Sequence, residues 1–287
     1  MGKIKLVTDS TCNLSSNLIS KYDISILPLS IIMGENVYSD GLDITPEAIY
    51  KWSDANKTTP KTDAVTPDKA VDILQPFVEA GRDIIFFGIS SQMSTTCNVI
   101  RTLSETTGDS RYANIRVIDT LSVSAGINLQ ILYAVKLAEE GKNADEIVEL
   151  VNKRREKVNA SFLVDTLTYL SRGGRCSAAA ALLANTLKVK PRIVIKNGVM
   201  DLDRKYRGSA KFAIFRYVED LKYQLLSADE TCVFISHSGC SQEVIDDVWA
   251  YLAELHHFHR IYVTRAGSVI SSHCGPGTLG IYFYESK

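Results

Sequence analysis

The chain has 287 residues, 45% of them hydrophobic and 23% charged, with a formal net charge of −1. That balance excludes intrinsic disorder and a chain-wide nucleic-acid footprint, and the length allows two domains or one large α/β unit with a sizeable core. Cys12, Cys97, Cys176, Cys232, Cys240 and Cys274 are scattered without a C-x-x-C pair, and Lys3 to Val7 is strand-like where a signal peptide would begin, so a reducing cytoplasm is expected. No apolar run reaches the roughly 20 residues of a bilayer-spanning helix, so no integral membrane insertion is expected.

Ile4 to Thr8 reads as a first strand, followed by Asp9-Ser10-Thr11 and a helix over Leu14 to Tyr22 behind a Ser or Asn cap. Ile24 to Ile32 is a second apolar run interrupted by Pro28, and Tyr38 to Ile44 reads as an irregular return before a helix opened by Thr45-Pro46-Glu47. Ser53 to Pro67 has little periodicity and is expected to run extended, able to reach across a pocket mouth. Pro67 to Ala80 has helical spacing and feeds through Gly81 into a buried strand, Asp83 to Ile89. That strand ends in Ser90-Ser91-Gln92-Met93-Ser94-Thr95-Thr96, just before apolar residues at helical spacing from Asn98 to Leu103, which places Ser94 and Thr95 near an N-cap. Hydroxyls and the free N–H groups of a helix start then point the same way. With no Lys or Arg between Asp83 and Ile100, this outline of an anion cradle suits a carboxylate better than a phosphate; the competing reading is a plain helix cap.

Ile115 to Ile118 is another short strand, ending in the hydroxyl-rich Asp119 to Ser124 before a long amphipathic run, Ile127 to Glu140, closed by Gly141. Three repeats of strand, hydroxyl loop and helix point to a mostly parallel sheet with ligands beyond the carboxyl ends of its strands, where Ser10, Ser91, Ser94 and Ser122 are candidates for one crevice. Neither the dinucleotide glycine fingerprint nor a Gly-Lys-Ser/Thr phosphate loop is present, so no nucleotide cofactor is expected. After a helix over Asp145 to Val158 the pattern changes, and a second domain is expected to begin near Ser161. Arg172-Gly173-Gly174-Arg175 reads as a turn, Ala178 to Leu187 as an apolar packing helix, and Asn197-Gly198 between β-rich flanks as a hairpin. The expected fold is therefore α/β in two domains: a mostly parallel α/β domain over 1–160, and an α+β domain over 161–287 with a mixed or antiparallel sheet.

The remainder alternates helix (Ser209 to Leu226), strand (Cys232 to Ser236), helix (Ser241 to His256) and two strands (Arg260 to Thr264 and Gly280 to Tyr284). Between those strands, Ser272-His273-Cys274-Gly275-Pro276-Gly277 reads as a sharp turn that fixes His273 at the edge of a loop, either to bond an acidic head group or to satisfy a buried carbonyl. His256, His257 and His259 lack a companion cysteine or carboxylate set, so no metal site is expected. From Ser161 to Lys211, Lys and Arg outnumber Asp by ten to three, a bias suited to an acidic partner or to a solvated face; without interleaved aromatics, nucleic acid ranks below both.

Taken together, Asp9-Ser10, Thr62, Ser90-Ser91 with Ser94, Gly173-Gly174-Arg175 and His273-x-Gly275-Pro276-Gly277 resemble the DegV family across essentially the full chain. The resemblance implies a long-chain fatty acid enclosed between two domains, with its carboxyl group presented to a separate fatty acid kinase: a carrier and not a stand-alone catalyst. It further implies that Thr62 and Ser94, with Thr95 beside it, hold the carboxylate, that His273 lies near it, and that Arg172 and Arg175 face the kinase. Thr62-Asp63-Ala64-Val65-Thr66 and Ser94-Thr95-Thr96 depart from the family's usual motifs, and Asp63 must point away from a bound carboxylate to avoid repelling it. Burying a sixteen-carbon tail supplies on the order of 10 kcal/mol before ordering costs, so neutral hydroxyls can suffice for the head. Two other functions compete: a serine hydrolase using Ser94, His273 and Asp9 without the usual Gly-x-Ser-x-Gly elbow, and a regulatory sensor of acyl supply.

Overall fold

The computed structural model describes residues 3–106, 110–177, 179 and 189–286. Strand β1 (Ile4–Asp9) is followed by helix α1 (Ser16–Lys21), whose first turn is capped by Ser15, and by β2 (Ser25–Leu27). Pro28 then divides the apolar run between two sheets, because it can neither donate to a ladder nor continue a central strand. Leu27 still pairs with Asp9, whereas β3 (Ser30–Met33) pairs antiparallel with β4 (Asn36–Ser39) and, after α2 (Pro46–Asn56), with β5 (Lys61–Asp63). The stretch expected to run extended thus holds the end of a helix and a paired strand, with Thr62 opposite Ile31.

Helix α3 (Pro67–Glu79), capped by Thr66, leads to β6 (Asp83–Gly88), α4 (Thr96–Thr106) and β7 (Ile115–Asp119). The parallel sheet has the order β2-β1-β6-β7, so the ends of β1, β6 and β7 open on one edge. Helix α5 (Ala125–Glu139) and α6 (Ala144–Arg154), the latter closed by an Asn143–Glu146 capping box, complete this half.

Strand β8 (Val158–Leu163) already belongs to the second sheet, so the expected boundary at Ser161 falls inside a strand. It is followed by α7 (Thr168–Gly173), β9 (Lys190–Lys196), β10 (Val199–Tyr206), α8 (Ala210–Asp220), α9 (Lys222–Leu226), β11 (Ala228–Ser238), α10 (Gln242–Glu254), β12 (Ile261–Arg265), α11 (Ser268–Cys274) and β13 (Thr278–Glu285). The six strands lie in the order β10-β9-β8-β13-β11-β12; β11 and β12 are parallel, and the other neighbours antiparallel. Asn197 and Gly198 take the two positive φ angles that a tight two-residue hairpin needs. Two expected turns are helix ends instead. Gly174, at φ 67°, closes α7, and Gly275, at φ 73°, closes α11, which carries His273 in its last turn. Apart from the buried Ala179, the stretch read as an apolar packing helix lies outside the described residues.

The run expected to be an amphipathic helix is buried nearly all round: from Ala125 to Ile131 every residue of α5 is inaccessible, with Ala134, Val135 and Leu137 beyond. The cause is its position. One core cluster joins Leu6, Ile85 and Ile118 of the parallel sheet to Phe162, Phe234 and Tyr282 of the six-stranded sheet, with α5 between them.

Candidate functional site

The carboxyl ends of the parallel strands meet β5, α11 and the β9–β10 hairpin around a cavity of about 370 Å³. Its polar wall includes Thr62, Asp63, Ser91, Ser94, Thr95, Arg175 and His273; its apolar wall includes Leu29, Ile89, Met93, Val123, Met200, Val269 and Ile270. The loop after β6 is set from both sides. Ser90 donates its hydroxyl to the Gly198 carbonyl at 2.7 Å, and a Cβ at Gly198 would fall 2.4 Å from the Ser90 Oγ, so only glycine lets the hairpin tip sit here. Asp119 accepts from the Ser91 hydroxyl at 2.5 Å and from the Leu121 N–H at 3.0 Å, tying the loops after β6 and β7 together.

Ser94 accepts from the Thr96 N–H at 3.3 Å and pairs with the Thr96 hydroxyl at 3.0 Å, so it does serve the start of α4; it also lines the cavity. Thr95 is exposed at the same helix start. Thr62 projects from β5 and pairs with Nε2 of His273 at 2.8 Å. Asp63, its neighbour, is exposed on the rim, as the alternation of a strand requires.

His273 is placed by the helix that carries it. The start of α11 is held by the N-terminal half of the chain: Asn13 accepts from Gly267 N–H and Asp40 from Ser268 N–H, each at 2.7 Å. Burial pushes the Asp40 carboxyl up to about 6. At the other end, a Cβ on Gly173 would fall 2.3 Å from His273 Nδ1, so the first glycine of Gly173-Gly174-Arg175 makes room for the ring. Burial, with the nearby Arg175 charge, holds the His273 pKa down to about 4, so the ring is neutral at pH 7. Nδ1 has no hydrogen-bond partner, which assigns the ring proton to Nε2 and makes the Thr62 oxygen its acceptor. The Thr62 hydroxyl hydrogen is then free to donate into the cavity.

Below this mouth lies a narrower chamber of about 40 Å³, walled by Phe162, Leu170, Cys274 and Tyr282 among others. It shares Val123, Met200, Ile270 and His273 with the mouth, so the two spaces adjoin across those four side chains. None of Phe162, Leu170, Met200 and Ile270 stands out in the sequence, because nothing distinguishes them from ordinary core residues. Arg175, expected to face a kinase, lines the mouth, donating to the Gly173 carbonyl at 2.8 Å and making a long contact of 3.5 Å to the Met93 carbonyl.

Other expected residues lie elsewhere. Ser91 lines the cavity, but Ser10 instead accepts from Leu29 N–H and Ser122 is buried against Gly126, neither on the cavity wall. Arg172 is exposed at the end of α7. The triad of a hydrolase is not assembled. Asp9, its carboxyl pushed up by burial, accepts from the backbone of Thr11 and Ile89, and His273 pairs with Thr62 and not with Ser94. Much of the basic stretch is neutralised by ion pairs, Lys190 with Asp165, Arg192 with Asp203, Arg204 with Asp220 and Lys211 with Glu243 and Asp247; Lys188 lies outside the described residues. Among the described residues no group of three His, Cys, Asp or Glu side chains is placed to hold a metal, and no helix is long and apolar enough to cross a membrane.

A family model described as "Uncharacterised protein, DegV family" matches residues 3–286. A DegV domain-containing protein of Clostridium acetobutylicum is 31% identical over 291 residues, covering 99% of each chain. Among solved structures, a Thermus thermophilus protein, described as "Fatty Acid Binding of a DegV family Protein", superposes with a TM-score of 0.87 at 27% identity, over 99% of this chain and 100% of the other. A Streptococcus pneumoniae protein named Fatty Acid Kinase (Fak) B3, loaded with linoleic acid, shares the fold with a TM-score of 0.83 at 18% identity, over 99% and 100% of the two chains.

Proposed function

The chain belongs to the DegV family, and from that premise we propose that it binds a long-chain fatty acid and presents the carboxylate to a separate fatty acid kinase for conversion to acyl phosphate. The observation that supports the binding half is a hydroxyl-lined mouth that adjoins a largely apolar chamber, the two sharing four wall residues. The fatty-acid binding described for the similar Thermus protein supports it. The carboxylate lies at Thr62 and Ser94, with Thr95 and the start of α4 beside it. Neutral His273 donates to the Thr62 oxygen, and Thr62 in turn donates to the carboxylate, so a buried cation is not needed to orient the head. Arg175 supplies positive charge at the rim. The acyl chain passes His273 into the chamber between Met200 and Ile270, which must shift to admit it because the space there is narrow.

The kinase half rests on the family likeness and on the exposed Arg172, placed beside the mouth by the same helix end that carries Gly173. In this reading the protein is a carrier, and the phosphoryl chemistry belongs to its partner. Organic extraction of freshly purified protein, followed by mass spectrometry, tests the binding half. About one fatty acid per chain is expected; protein that yields none and takes up none when offered several would refute it.

A further inference from the structure

The β9–β10 hairpin borders more than the mouth. Its Met200 lines both the mouth and the inner chamber, while its other limb faces a polar cavity of about 630 Å³, walled by Val158, Asn159 and Ala160 of β8 and by Val194, Ile195 and Lys196 of β9 among others. That cavity marks where the sheet comes apart. Strand β8 pairs with β13 from Val158 to Leu163, but with β9 only where Ser161–Leu163 face Arg192–Val194. Beyond Val194 the ladder to β8 stops, while the ladder to β10 runs on to Lys196.

A second irregularity lies at the same level. Leu202 pairs with Ile193 and Arg204 with Arg192, which leaves Asp203 as the extra residue of a bulge in β10. A bulge interrupts the ladder and lets its strand bend. The bulge and the β8 pairing thus fall side by side at Arg192 and Ile193, with Ile195 to Leu202 beyond them. The far end is held at its tip by the Ser90 hydroxyl, which donates to the Gly198 carbonyl at 2.7 Å. The Cys176 Sγ to Met200 carbonyl contact, at 3.9 Å, is a weaker tie. Ile195 is buried and Met200 packs against the main core, so the closed position is the resting one.

We propose that Ile195 to Leu202 form a flap, hinged at the bulge and latched by Ser90, that tilts to draw Met200 off the chamber entrance and let an acyl chain pass. The polar cavity gives the flap room to move. The proposal rests on the fatty-acid reading given above and adds the route by which the chain enters. Neither Ser90 nor Gly198 is on the wall of the mouth or the chamber, so weakening the latch should speed entry and exit alike and leave affinity unchanged.

The test follows the fluorescent fatty acid cis-parinaric acid into full-length, lipid-stripped protein by stopped flow, and its release into excess palmitate. Ser90→Ala should raise both rate constants about three- to tenfold with Kd within twofold of wild type. Gly198→Ala acts from the other side of the latch, because its Cβ would fall 2.4 Å from the Ser90 Oγ, and should do the same. Melting curves identify a variant that has lost its fold, in which case the other carries the comparison. In wild-type protein, hydrogen exchange read by mass spectrometry should show residues 195–202 opening faster than residues 190–194. Equal protection of the two segments overturns the proposal, as does a folded variant with wild-type rates, or one whose affinity falls while association is unchanged. If wild-type protein binds neither cis-parinaric acid nor palmitate, the fatty-acid reading fails and the flap loses its purpose, an outcome distinct from binding with unaltered rates.

Discussion

Gly173 occupies a position where any Cβ would fall 2.3 Å from Nδ1 of His273, and the opposite nitrogen of that ring is the one paired with Thr62. Three elements far apart in the chain therefore meet through one imidazole: the end of α7, the end of α11 and the small strand β5. Gly173→Ala should push the ring off Thr62 and cost about 1 to 3 kcal/mol of stability, the range for overpacking a closed site. Fatty-acid retention should fall with it. Thermal unfolding and acyl stoichiometry measured together would check this, and a variant indistinguishable from wild type in both would show that the ring can move aside freely.

Acid should release the head group. The His273 pKa in the folded protein, about 4, lies below its ordinary value of 6.5, so between those values the unfolded chain binds more protons. The stability this group contributes is fully present above pH 6.5 and is lost as pH falls through about 4. Besides Arg175, which opposes protonation, the exposed Asp63 is the charged side chain on the mouth. In lipid-free protein the His273 ring resonances should stay unchanged from pH 8 to about 5; an inflection near 6.5 would mean that the ring is solvated.

Asp40 carries the opposite sign. Its folded pKa of about 6 lies above the ordinary 3.8, so the folded protein binds the extra proton, and the stability gained from it at low pH is lost as pH rises from about 4 to 6. Asp40→Asn keeps an oxygen for the Ser268 N–H and removes the buried charge. It should therefore raise stability at pH 7.5 by up to about 3 kcal/mol, with the gain vanishing below pH 4. Urea unfolding of both proteins across this range checks it; destabilisation at pH 7.5 would show that the charge is needed to hold α11.

Arg172 and Arg175 should separate under substitution. Arg175 bonds its own turn and lines the mouth, so Arg175→Ala should lower fatty-acid retention as well as any association. Arg172 is exposed, and Arg172→Ala should leave melting temperature and bound acid unchanged while slowing acyl phosphate formation several-fold at low kinase concentration. Added salt should mimic the substitution, because exposed charges are screened over about 10 Å at 0.1 M. Full-rate phosphorylation by the variant at low kinase concentration would remove the docking role.

Local signals in the sequence locate most of the framework. Thr45 and Thr66 followed by Pro mark helix starts, Asn197-Gly198 marks a hairpin, and the strands ending in hydroxyls place Ser94 correctly at the start of α4. What escapes the sequence is set by distance. Thr62 gains its meaning from a residue 211 positions away, and α5 looks amphipathic until a second sheet covers its outer face. Gly275 and Gly277 read as a loop because a short helix ending in glycine and a glycine-rich turn share the same composition. Ser10 and Ser122 share the hydroxyl-after-strand pattern with Ser91, yet only tertiary packing decides which of them faces the cavity.

The place of β13 between β8 and β11 has a consequence for the birth of the protein. Asn159 and Glu285, bonded across that ladder, are 126 residues apart, so the six-stranded sheet cannot close until a late segment of the chain has emerged and threaded into its middle. Until then the outer face of α5, with the wall of the inner chamber, is bare to water. A ribosome-bound intermediate halted before Thr278 would therefore be sticky, a natural client for chaperones, and unable to enclose a lipid however complete its head-group loops.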